Sequence, residues 1–271
     1  MSTELIVGGK GLQLPDPRSP AAASLWSRLD RLPDWIPAEV QQDQFMMAVT
    51  AEANRMPQDV NPASLCSAAF NCAVVGLMPG PALGHAHFVP FKSGSTREVQ
   101  LIVGYKGYLE LAYRSGFLAG ITCEVVYEGE KCERWNDSNG PQIDHRMSLD
   151  RVEDFDKVVA AYCIYQTQYG YRDIVTVGGR ELKRLKQKHS RGSMQIWRDN
   201  PIEMALKTPI RRAAKRWKLT NQMAKAVYLD EQADRGERQA SPVVEHAEIP
   251  KVDVAAYDEA DQFENENPID G

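Results

Sequence analysis

The sequence lacks long apolar runs. No stretch of it approaches the roughly 18 consecutive apolar residues that a membrane-spanning helix needs, so we expect no membrane association. The first ten residues also lack a basic region followed by an apolar one, which argues against a secretory signal peptide. With 43% hydrophobic and 25% charged residues, the composition is that of a soluble globular protein. We therefore expect a cytoplasmic protein.

Paired cysteines are absent as well. The chain has five cysteines, an odd number, and none of them forms a CxxC pair. Four of the five lie among apolar residues. This pattern predicts buried free thiols in a reducing compartment, not a disulfide framework or a zinc site.

Signatures of catalysis are scarce. The sequence has no G-x-x-x-x-G-K-[ST] phosphate loop, which disfavours an ATP-driven strand exchanger or helicase. His85 and His87 share one face of a predicted strand without an obvious third metal ligand. Glu153, Asp154 and Asp156 suggest a two-metal nuclease, but a solvated polar loop is the alternative interpretation. We expect no cofactor, no metal and no enzymatic activity.

Charge is present but strongly segregated along the chain. The formal net charge is −5. Residues 180–225 contain 14 Lys and Arg against 3 acidic residues, a net of +11, whereas residues 226–271 contain 3 basic and 13 acidic residues, a net of −10. Such asymmetry predicts a basic working surface followed by an acidic tail.

Composition divides the chain into three parts. Residues 1–20 are rich in Gly, Pro and Ser and are predicted to be largely disordered. Residues 21–229 carry the apolar periodicity of a folded core, and residues 230–271 are predicted to be an acidic, largely disordered tail.

Periodicity and turn signals predict an α+β fold. Helical patterns begin near Ala22 and again at Pro37 or Ala38, and Asn61-Pro62 is typical of a helix start. Together they form a predicted helical N-terminal lobe. Further helices are predicted at 105–114 and from Gly179 onward. The predicted strands, which should form an antiparallel sheet crossed by helices, span 83–91, 98–103, 119–127, 157–166 and 171–177.

The segment from Thr208 to Lys218 predicts a basic helix. Thr208 is a suitable N-cap and Pro209 a suitable first residue. Apolar residues should anchor one arc of this helix on the domain: Ile210, Ala213, Ala214 and Trp217. The opposite arc should present cations to solvent: Arg211, Arg212, Lys215, Arg216 and Lys218. No acidic residue interrupts that arc, which favours a polyphosphate partner over the alternative, an inert solvated face.

The Gly104-Tyr105-Lys106-Gly107 segment is a weaker candidate. Its glycines would let the backbone approach a ligand, while Lys106 supplies charge and Tyr105 a stacking face. Arg114 could join the same surface. A purely structural turn is the alternative interpretation. Phe91 belongs to a predicted strand and could stack on bases, although such residues are more often part of the core.

Six ordered blocks closely resemble the RecT family of phage single-strand annealing proteins. They are LMPG at 77–80, AHFVPF at 86–91, GYKG at 104–107, LAYRSG at 111–116, VYEG at 126–129 and KTPIR at 207–211. Pro209 and His145 depart from the usual family pattern. The resemblance implies a recombinase of the bacterial host cell that coats single-stranded DNA and anneals it without nucleotide hydrolysis. It also implies a ring or helical homo-oligomer and a β-β-β-α annealing-protein core.

With this resemblance in mind, we expect a groove in which cations track phosphates and aromatic rings stack on bases. Its predicted cations are Lys106, Arg114, Lys207, Arg211, Arg212 and Lys215, and its predicted aromatics are Tyr105, Phe91 and Trp197. The expected partners are single-stranded DNA, the annealed duplex intermediate, and other copies of the chain through the N-terminal lobe. A companion exonuclease and a host single-strand-binding protein are further candidate partners.

Two other functional classes stay open at this point. A metal-dependent DNA nuclease would need carboxylates that converge on a metal ion. A nucleic-acid-binding adaptor would use the basic helix without annealing. The acidic tail could mimic nucleic acid, recruit a partner or only increase solubility.

Overall fold

The computed structural model describes residues 3–7, 10–14, 16–28, 32–190, 196–217 and 220–239. This part of the chain contains groups of helices and groups of antiparallel strands, which confirms the predicted α+β class. The strands are β1 (Thr3–Val7), β2 (Lys10–Leu14), β3 (Ala86–Ser93), β4 (Thr96–Val103), β5 (Leu118–Tyr127), β6 (Lys131–Asp137), β7 (Gly140–Arg146), β8 (Val158–Thr167) and β9 (Arg172–Gly178). The helices are α1 (Pro20–Trp26), α2 (Gln42–Ala53), α3 (Pro62–Val75), α4 (Tyr105–Arg114), α5 (Gly179–Ser190), α6 (Ile196–Asp199), α7 (Pro201–Ala214) and α8 (Asn221–Arg235).

Helix α3 is the buried centre of the N-terminal lobe. As predicted, the Asn61 side chain caps it by accepting from the Ala63 N–H, and Pro62 occupies the first turn. Gly76 ends the helix in the left-handed conformation with φ of 69°. Nearly every side chain between these ends is buried, and α1 packs against it. The almost wholly apolar sequence of α3 is therefore explained by its position.

The structure differs from the sequence prediction at the N-terminus. Strands β1 and β2 form an antiparallel hairpin in the segment predicted to be disordered, with Thr3 opposite Leu14. The sequence between the two strands is Gly8-Gly9, a two-residue hairpin signal. The glycine content that suggested disorder is thus also the content that a tight hairpin requires.

The nine strands form separate antiparallel sheets in the described part of the chain. β3 pairs with β4, and β5, β8 and β9 form a three-stranded sheet in the order β5-β8-β9. The β6–β7 hairpin was not predicted, because its polar sequence shows no apolar alternation. It packs against β9, where the Arg172 guanidinium donates to the Pro141 carbonyl at 2.8 Å. His145 Nδ1 also lies 3.0 Å from the Tyr162 hydroxyl.

The outer edge of β4 is satisfied without another strand. Alternate backbone N–H groups on this edge donate to acceptors on neighbouring elements. The donor–acceptor pairs are Arg97 N to Asp59 O (3.0 Å), Val99 N to Ser64 Oγ (2.8 Å), Leu101 N to Gln239 Oε1 (2.6 Å) and Val103 N to Asp230 Oδ1 (3.3 Å). The β3–β4 hairpin is therefore tied along its length to α3, α8 and the segment after α8.

The main core joins α1–α3, the β3–β4 hairpin, α4, α8 and the end of α7. A second apolar cluster lies between the β5-β8-β9 sheet and α5, α6 and α7. The folded part extends beyond the predicted boundary at residue 229, because α8 continues to Arg235 and the Gln239 side chain is buried. Residues 240–271, which contain most of the predicted acidic tail, lie outside the described residues.

Candidate nucleic-acid interface

Helix α7 carries three of the six predicted groove cations, Lys207, Arg211 and Arg212, but it starts earlier than predicted. It begins at Pro201 after Asn200, so the predicted start at Thr208-Pro209 is wrong. Pro209 lies inside the helix, and the Thr208 hydroxyl donates to the Met204 carbonyl at 2.7 Å. Both Asn200-Pro201 and Thr208-Pro209 are typical helix-start sequences. The earlier one begins the helix because the turns that follow it bury Met204 and other apolar residues.

The apolar arc of this helix is as predicted. Ile210, Ala213 and Ala214 are fully buried, and Trp217 is 7% exposed. The opposite arc differs from the prediction, because acidic residues of other elements flank it on both sides. These carboxylates come from α8, α5 and β9, so they are distant in sequence from the cations that they contact. The helix sequence alone therefore does not reveal them. Lys218, the last cation of the predicted arc, lies outside the described residues.

On the side facing α8, Lys207 forms a buried ion pair. Its Nζ lies 2.6 Å from Asp230 Oδ2, and the two side chains are 7% and 2% exposed. The same carboxylate accepts from the buried Tyr108 hydroxyl at 2.8 Å. Burial lowers the pKa of Lys207, although the charge of Asp230 opposes this shift. Arg211 forms a neighbouring ion pair with Asp234. Both cations therefore hold α7 against α8.

On the opposite side, arginines are paired but remain open to solvent. Arg212 donates to both oxygens of Glu181 at 2.6 and 3.2 Å, and its hydrogen bond lowers the pKa of that carboxyl. Arg184 contacts the same carboxylate at 3.7 Å, and Arg216 contacts Asp173 at 3.4 Å. The side chains of Arg184 and Arg216 are 77% and 61% exposed. We call Arg184, Arg212 and Arg216 the arginine strip.

Helix α5, which carries Arg184 of the arginine strip, has an excess of basic residues over acidic ones. Its sequence contains five Lys and Arg but only one acidic residue. Leu182 is buried and anchors the helix, while Arg180 is exposed. Lys183 Nζ donates to the Asp156 main-chain carbonyl at 2.6 Å. Because this acceptor carries no formal charge, the contact does not neutralise the lysine. The sequence signal for this surface is the run of cations from Arg180 onward.

A cavity of about 640 Å³ brings together another part of the predicted site. It lies between α2, the β3–β4 hairpin and the starts of α4 and α7, and Tyr105, Lys106 and Lys207 all line it. Arg55 also lines the cavity, as do the carboxylates of Glu52 and Glu203. Burial raises the pKa of Glu203, with a smaller opposing effect from Lys106. The cavity lining therefore combines Lys and Arg side chains with carboxylates, whereas the charged residues of α5 are mostly basic.

The glycines of the Gly104–Gly107 segment serve backbone packing. A Cβ atom at Gly104 would overlap the Gly84 carbonyl oxygen, and one at Gly107 would overlap that of His85. The Gly104 N–H also donates to the His85 carbonyl at 2.9 Å. These contacts support the structural interpretation of the glycines. The side chains of Lys106 and Tyr105 nevertheless line the cavity, together with residues of α7.

Three predicted site residues lie elsewhere. The Arg114 guanidinium donates to the carbonyls of Gly76 and Val75 at 2.8 and 3.1 Å, so it caps the end of α3. Phe91 is 6% exposed within an apolar cluster, and Trp197 is 2% exposed with its ring 6.2 Å from that of Phe155. Neither aromatic ring is available for a base in this structure. The aromatic character of Phe91 and Trp197 suggested base stacking, but only the fold shows that both rings are buried.

The described part of the chain contains no candidate metal site. No group of three or more His, Cys, Asp or Glu there is arranged to hold a metal ion. The Asp154 side chain accepts from the Asp156 N–H at 3.0 Å, which is a local turn contact. All five cysteines are free; Cys66, Cys72 and Cys163 are buried as predicted, whereas Cys123 and Cys132 are partly exposed. Among the described helices, none is long and apolar enough to cross a membrane.

Comparisons with known proteins identify the relatives of this chain. The model of the RecT family matches residues 43–245. Protein RecT of Escherichia coli (strain K12) is 30% identical over 213 residues, which cover 76% of this chain and 77% of that protein. The uncharacterized protein YqaK of Bacillus subtilis (strain 168) is 27% identical over 234 residues, which cover 84% of this chain and 78% of that protein. The matched region includes α4, α5, α7 and α8, and so every element of the interface.

Proposed function

Since this chain belongs to the RecT family of recombination and single-strand annealing proteins, we propose that it binds single-stranded DNA and anneals complementary strands without ATP. The observation that carries the proposal is the family match over residues 43–245, which spans the whole cationic surface. The absence of a phosphate-loop motif from the sequence agrees with an activity independent of nucleotide hydrolysis. The proposed place of action is the cytoplasm of a bacterial host.

The phosphate backbone would bind along α5 and the arginine strip. A guanidinium has five N–H donors, so Arg212 retains donors beyond the two that contact Glu181. Phosphate contacts are independent of base sequence and release condensed counterions, which provides affinity. Base edges would stay exposed on the bound strand, where a complementary strand can test pairing. Sequence specificity then comes from the DNA, and the protein needs none.

Lys106 and Tyr105 provide a second proposed contact at the cavity. The Lys106 Nζ lies 5.9 Å from the centre of the Tyr105 ring, so charge and stacking surface are adjacent. Lys207 and Arg211, which we predicted to contact phosphate, have a different proposed role. They fix α7 between α8 and the sheet and thereby position the exposed arginines.

We further propose that the protein acts as a ring or helical homo-oligomer. The N-terminal lobe is the candidate protomer contact, because Trp35 and Met47 are 44% and 52% exposed there. A companion exonuclease and the host single-strand-binding protein remain proposed partners. The acidic segment beyond residue 239 is a proposed competitor for the cationic surface or a docking segment for such partners.

The annealing of two complementary fluorescent oligonucleotides, with protein and without ATP, tests the proposal. We expect pairing well above the spontaneous rate, with both strands intact on a denaturing gel. Degradation in Mg²⁺ that EDTA stops would instead indicate a nuclease. Tight binding to each strand without faster pairing would indicate an adaptor, and either result would contradict the annealing activity.

A further inference from the structure

The turn between β8 and β9 presents two tyrosines to solvent. Tyr169 is 88% exposed and Tyr171 is 60% exposed. Turns favour small polar residues and glycine, and here Gly170 supplies the required positive φ of 82°. The backbone conformation explains the glycine but not the aromatic residues on either side of it. The fold therefore does not explain why two large aromatic rings lie exposed at this hairpin tip.

The turn itself is held firmly. The Thr167 N–H donates to the Tyr171 carbonyl at 2.8 Å, and the Tyr171 N–H donates to the Thr167 hydroxyl at 3.2 Å. Gln168 ties the turn to the start of β5, because its N–H donates to the Phe117 carbonyl at 3.0 Å. The two rings are thus presented by an ordered backbone. A ligand that contacts them would not need to order the turn first.

A short series of contacts connects these tyrosines to the arginine strip. The Tyr171 and Tyr165 ring centres are 6.4 Å apart, and the Tyr165 hydroxyl donates to Asp173 Oδ2 at 3.1 Å. The same oxygen lies 3.4 Å from Arg216 Nη1. Tyr165 also contacts the buried Trp217 ring, with centres 5.5 Å apart. Tyr171 is therefore connected to the Arg216 end of the strip, and Tyr169 lies two residues earlier on the same turn.

We propose that Tyr169 and Tyr171 form a stacking platform for unpaired nucleobases of single-stranded DNA. This inference rests on the proposed function and adds a second base contact to the one proposed at Tyr105. Proteins that bind single strands combine a cationic track with aromatic rings, and every base offers a π-face. Arg216, which is connected to Tyr171 through Tyr165 and Asp173, provides charge complementarity to the phosphates near a stacked base. Bases within a duplex are already stacked, so the platform favours single strands over duplex DNA.

The test compares two oligonucleotides of equal length, oligo(dT) and an abasic strand that keeps the phosphates but lacks bases. The wild-type full chain should bind oligo(dT) at least about fivefold more tightly than the abasic strand. The double variant Tyr169→Ala/Tyr171→Ala should lose most of this preference, because the base contacts at the turn are removed while Tyr105 remains. Its salt dependence should stay unchanged, since the phosphate contacts remain. Tyr169→Phe/Tyr171→Phe should retain the preference.

Tyr228→Ala is the matched control, because Tyr228 is 51% exposed on α8 and outside the turn. It should behave as wild type. As an independent readout that needs no substitution, 5-iododeoxyuridine in the strand should photocross-link to Tyr169 or Tyr171, mapped by mass spectrometry.

Three results would overturn the inference. If wild-type protein prefers oligo(dT) and the double variant keeps that preference, the platform is wrong while DNA binding stands. If the double variant binds both strands normally but loses its oligomeric state in size-exclusion chromatography, the tyrosines form a contact between copies. If the wild-type chain binds neither strand, the proposed function fails and the platform fails with it.

Discussion

Lys207 and Lys215 both pair with carboxylates of α8, yet they differ in exposure. The Lys207 side chain is 7% exposed, whereas that of Lys215 is 49% exposed beside Glu231. Removing one member of a buried pair leaves an uncompensated charge, but an exposed pair contributes little because water and salt screen it. At the scale of a single residue, burial therefore decides whether a lysine stabilises the fold or is free to meet a ligand.

The first prediction concerns these two lysines. Lys207→Ala should lower the free energy of unfolding by about 3–5 kcal/mol, because Asp230 would stay buried without its partner. Lys215→Ala, the matched control, should change it by about 0–1 kcal/mol. Denaturant unfolding followed by circular dichroism measures both. Equal effects of the two substitutions would contradict the structural role assigned to Lys207.

The second prediction concerns Glu130, whose side chain is 2% exposed and lies 3.2 Å from His145 Nε2. Burial alone would raise its pKa, but hydrogen bonds from the Tyr127 and Ser148 N–H groups and from His145 bring it below the ordinary value of 4.5. Because the folded-state pKa is depressed, the ionised carboxylate stabilises the fold above about pH 4.5. That stabilisation is lost as the pH falls through the folded-state pKa.

Wild-type protein should lose free energy of unfolding as the pH falls below about 5, the region in which Glu130 becomes protonated. Glu130→Gln has no carboxyl group at this position and should therefore lose less of it. Glu133→Gln, three residues later on β6, is a suitable control, since Glu133 is 64% exposed beside Lys131. Unfolding midpoints measured across an acid pH series decide the matter. A parallel acid response in wild type and Glu130→Gln would show that this carboxylate does not contribute.

At the scale of elements, local signals predicted most of the secondary structure. Helix α4 matches its predicted range, and the ends of α3 follow from Asn61-Pro62 and Gly76. Helix α3 carries its own capping residues and α4 carries an amphipathic pattern, so the sequence contains the necessary information. The β6–β7 hairpin carries neither signal, and contacts such as that from Arg172 to Pro141 hold it on the sheet. Contacts distant in sequence cannot be read from local pattern.

The candidate site was less predictable than the elements. The cationic character of α5 and α7 follows from composition, but the carboxylates that Arg211, Arg212 and Arg216 contact belong to other elements. Arg212 and Glu181 are an example, since they belong to α7 and α5. The same limit applies to Phe91 and Trp197, whose burial depends on packing between elements. The sequence predicts a polyphosphate ligand, and the fold distinguishes buried, structural cations from exposed ones.

The third prediction tests the arginine strip. Arg212→Ala/Arg216→Ala should weaken binding to single-stranded DNA and reduce its salt dependence by roughly 1.4 logarithmic units per decade of salt, about 0.7 for each phosphate that the variant no longer neutralises. Lys131→Ala is the control, because this lysine is 54% exposed on β6 and also has a carboxylate neighbour. Fluorescence anisotropy titrations at several salt concentrations measure the slope. An unchanged slope would exclude the strip as a phosphate track.

At the scale of the whole molecule, the segment after α8 completes the fold. The Gln239 amide donates to the carbonyls of Leu101 and Leu229 at 3.0 and 2.8 Å, and its oxygen accepts from the Leu101 N–H. Gln100 donates to the Glu237 carbonyl at 2.9 Å. The acidic region that follows contains nine Asp and Glu and one Lys in residues 240–271. A truncation that tests this region must therefore leave Gln239 in place.

The fourth prediction compares two shortened chains. A chain ending at Gln239 should keep the wild-type free energy of unfolding. A chain ending at Gly236 should lose at least about 1–3 kcal/mol, the cost of leaving a buried polar group unpaired. Thermal and denaturant unfolding compare the two. Similar stabilities would mean that Gln239 contributes nothing to the fold.

The longer of these chains also tests the acidic region. If residues 240–271 compete with DNA for the cationic surface, the chain ending at Gln239 should load onto single strands faster than the full chain. Stopped-flow anisotropy measures that rate. An unchanged rate, with unchanged capture of partner proteins, would leave solubility as the only role of this region.

The side-chain and loop contacts along β4 have a consequence for how copies of the chain meet. An open strand edge is a template onto which the same strand of another molecule can add, and this leads to aggregation. Because Asp59, Ser64, Asp230 and Gln239 occupy the edge N–H groups of β4, that template is closed. Proteins crowded along one DNA strand would otherwise risk sheet-to-sheet addition at high local concentration. Ordered assembly is left to other surfaces of the molecule.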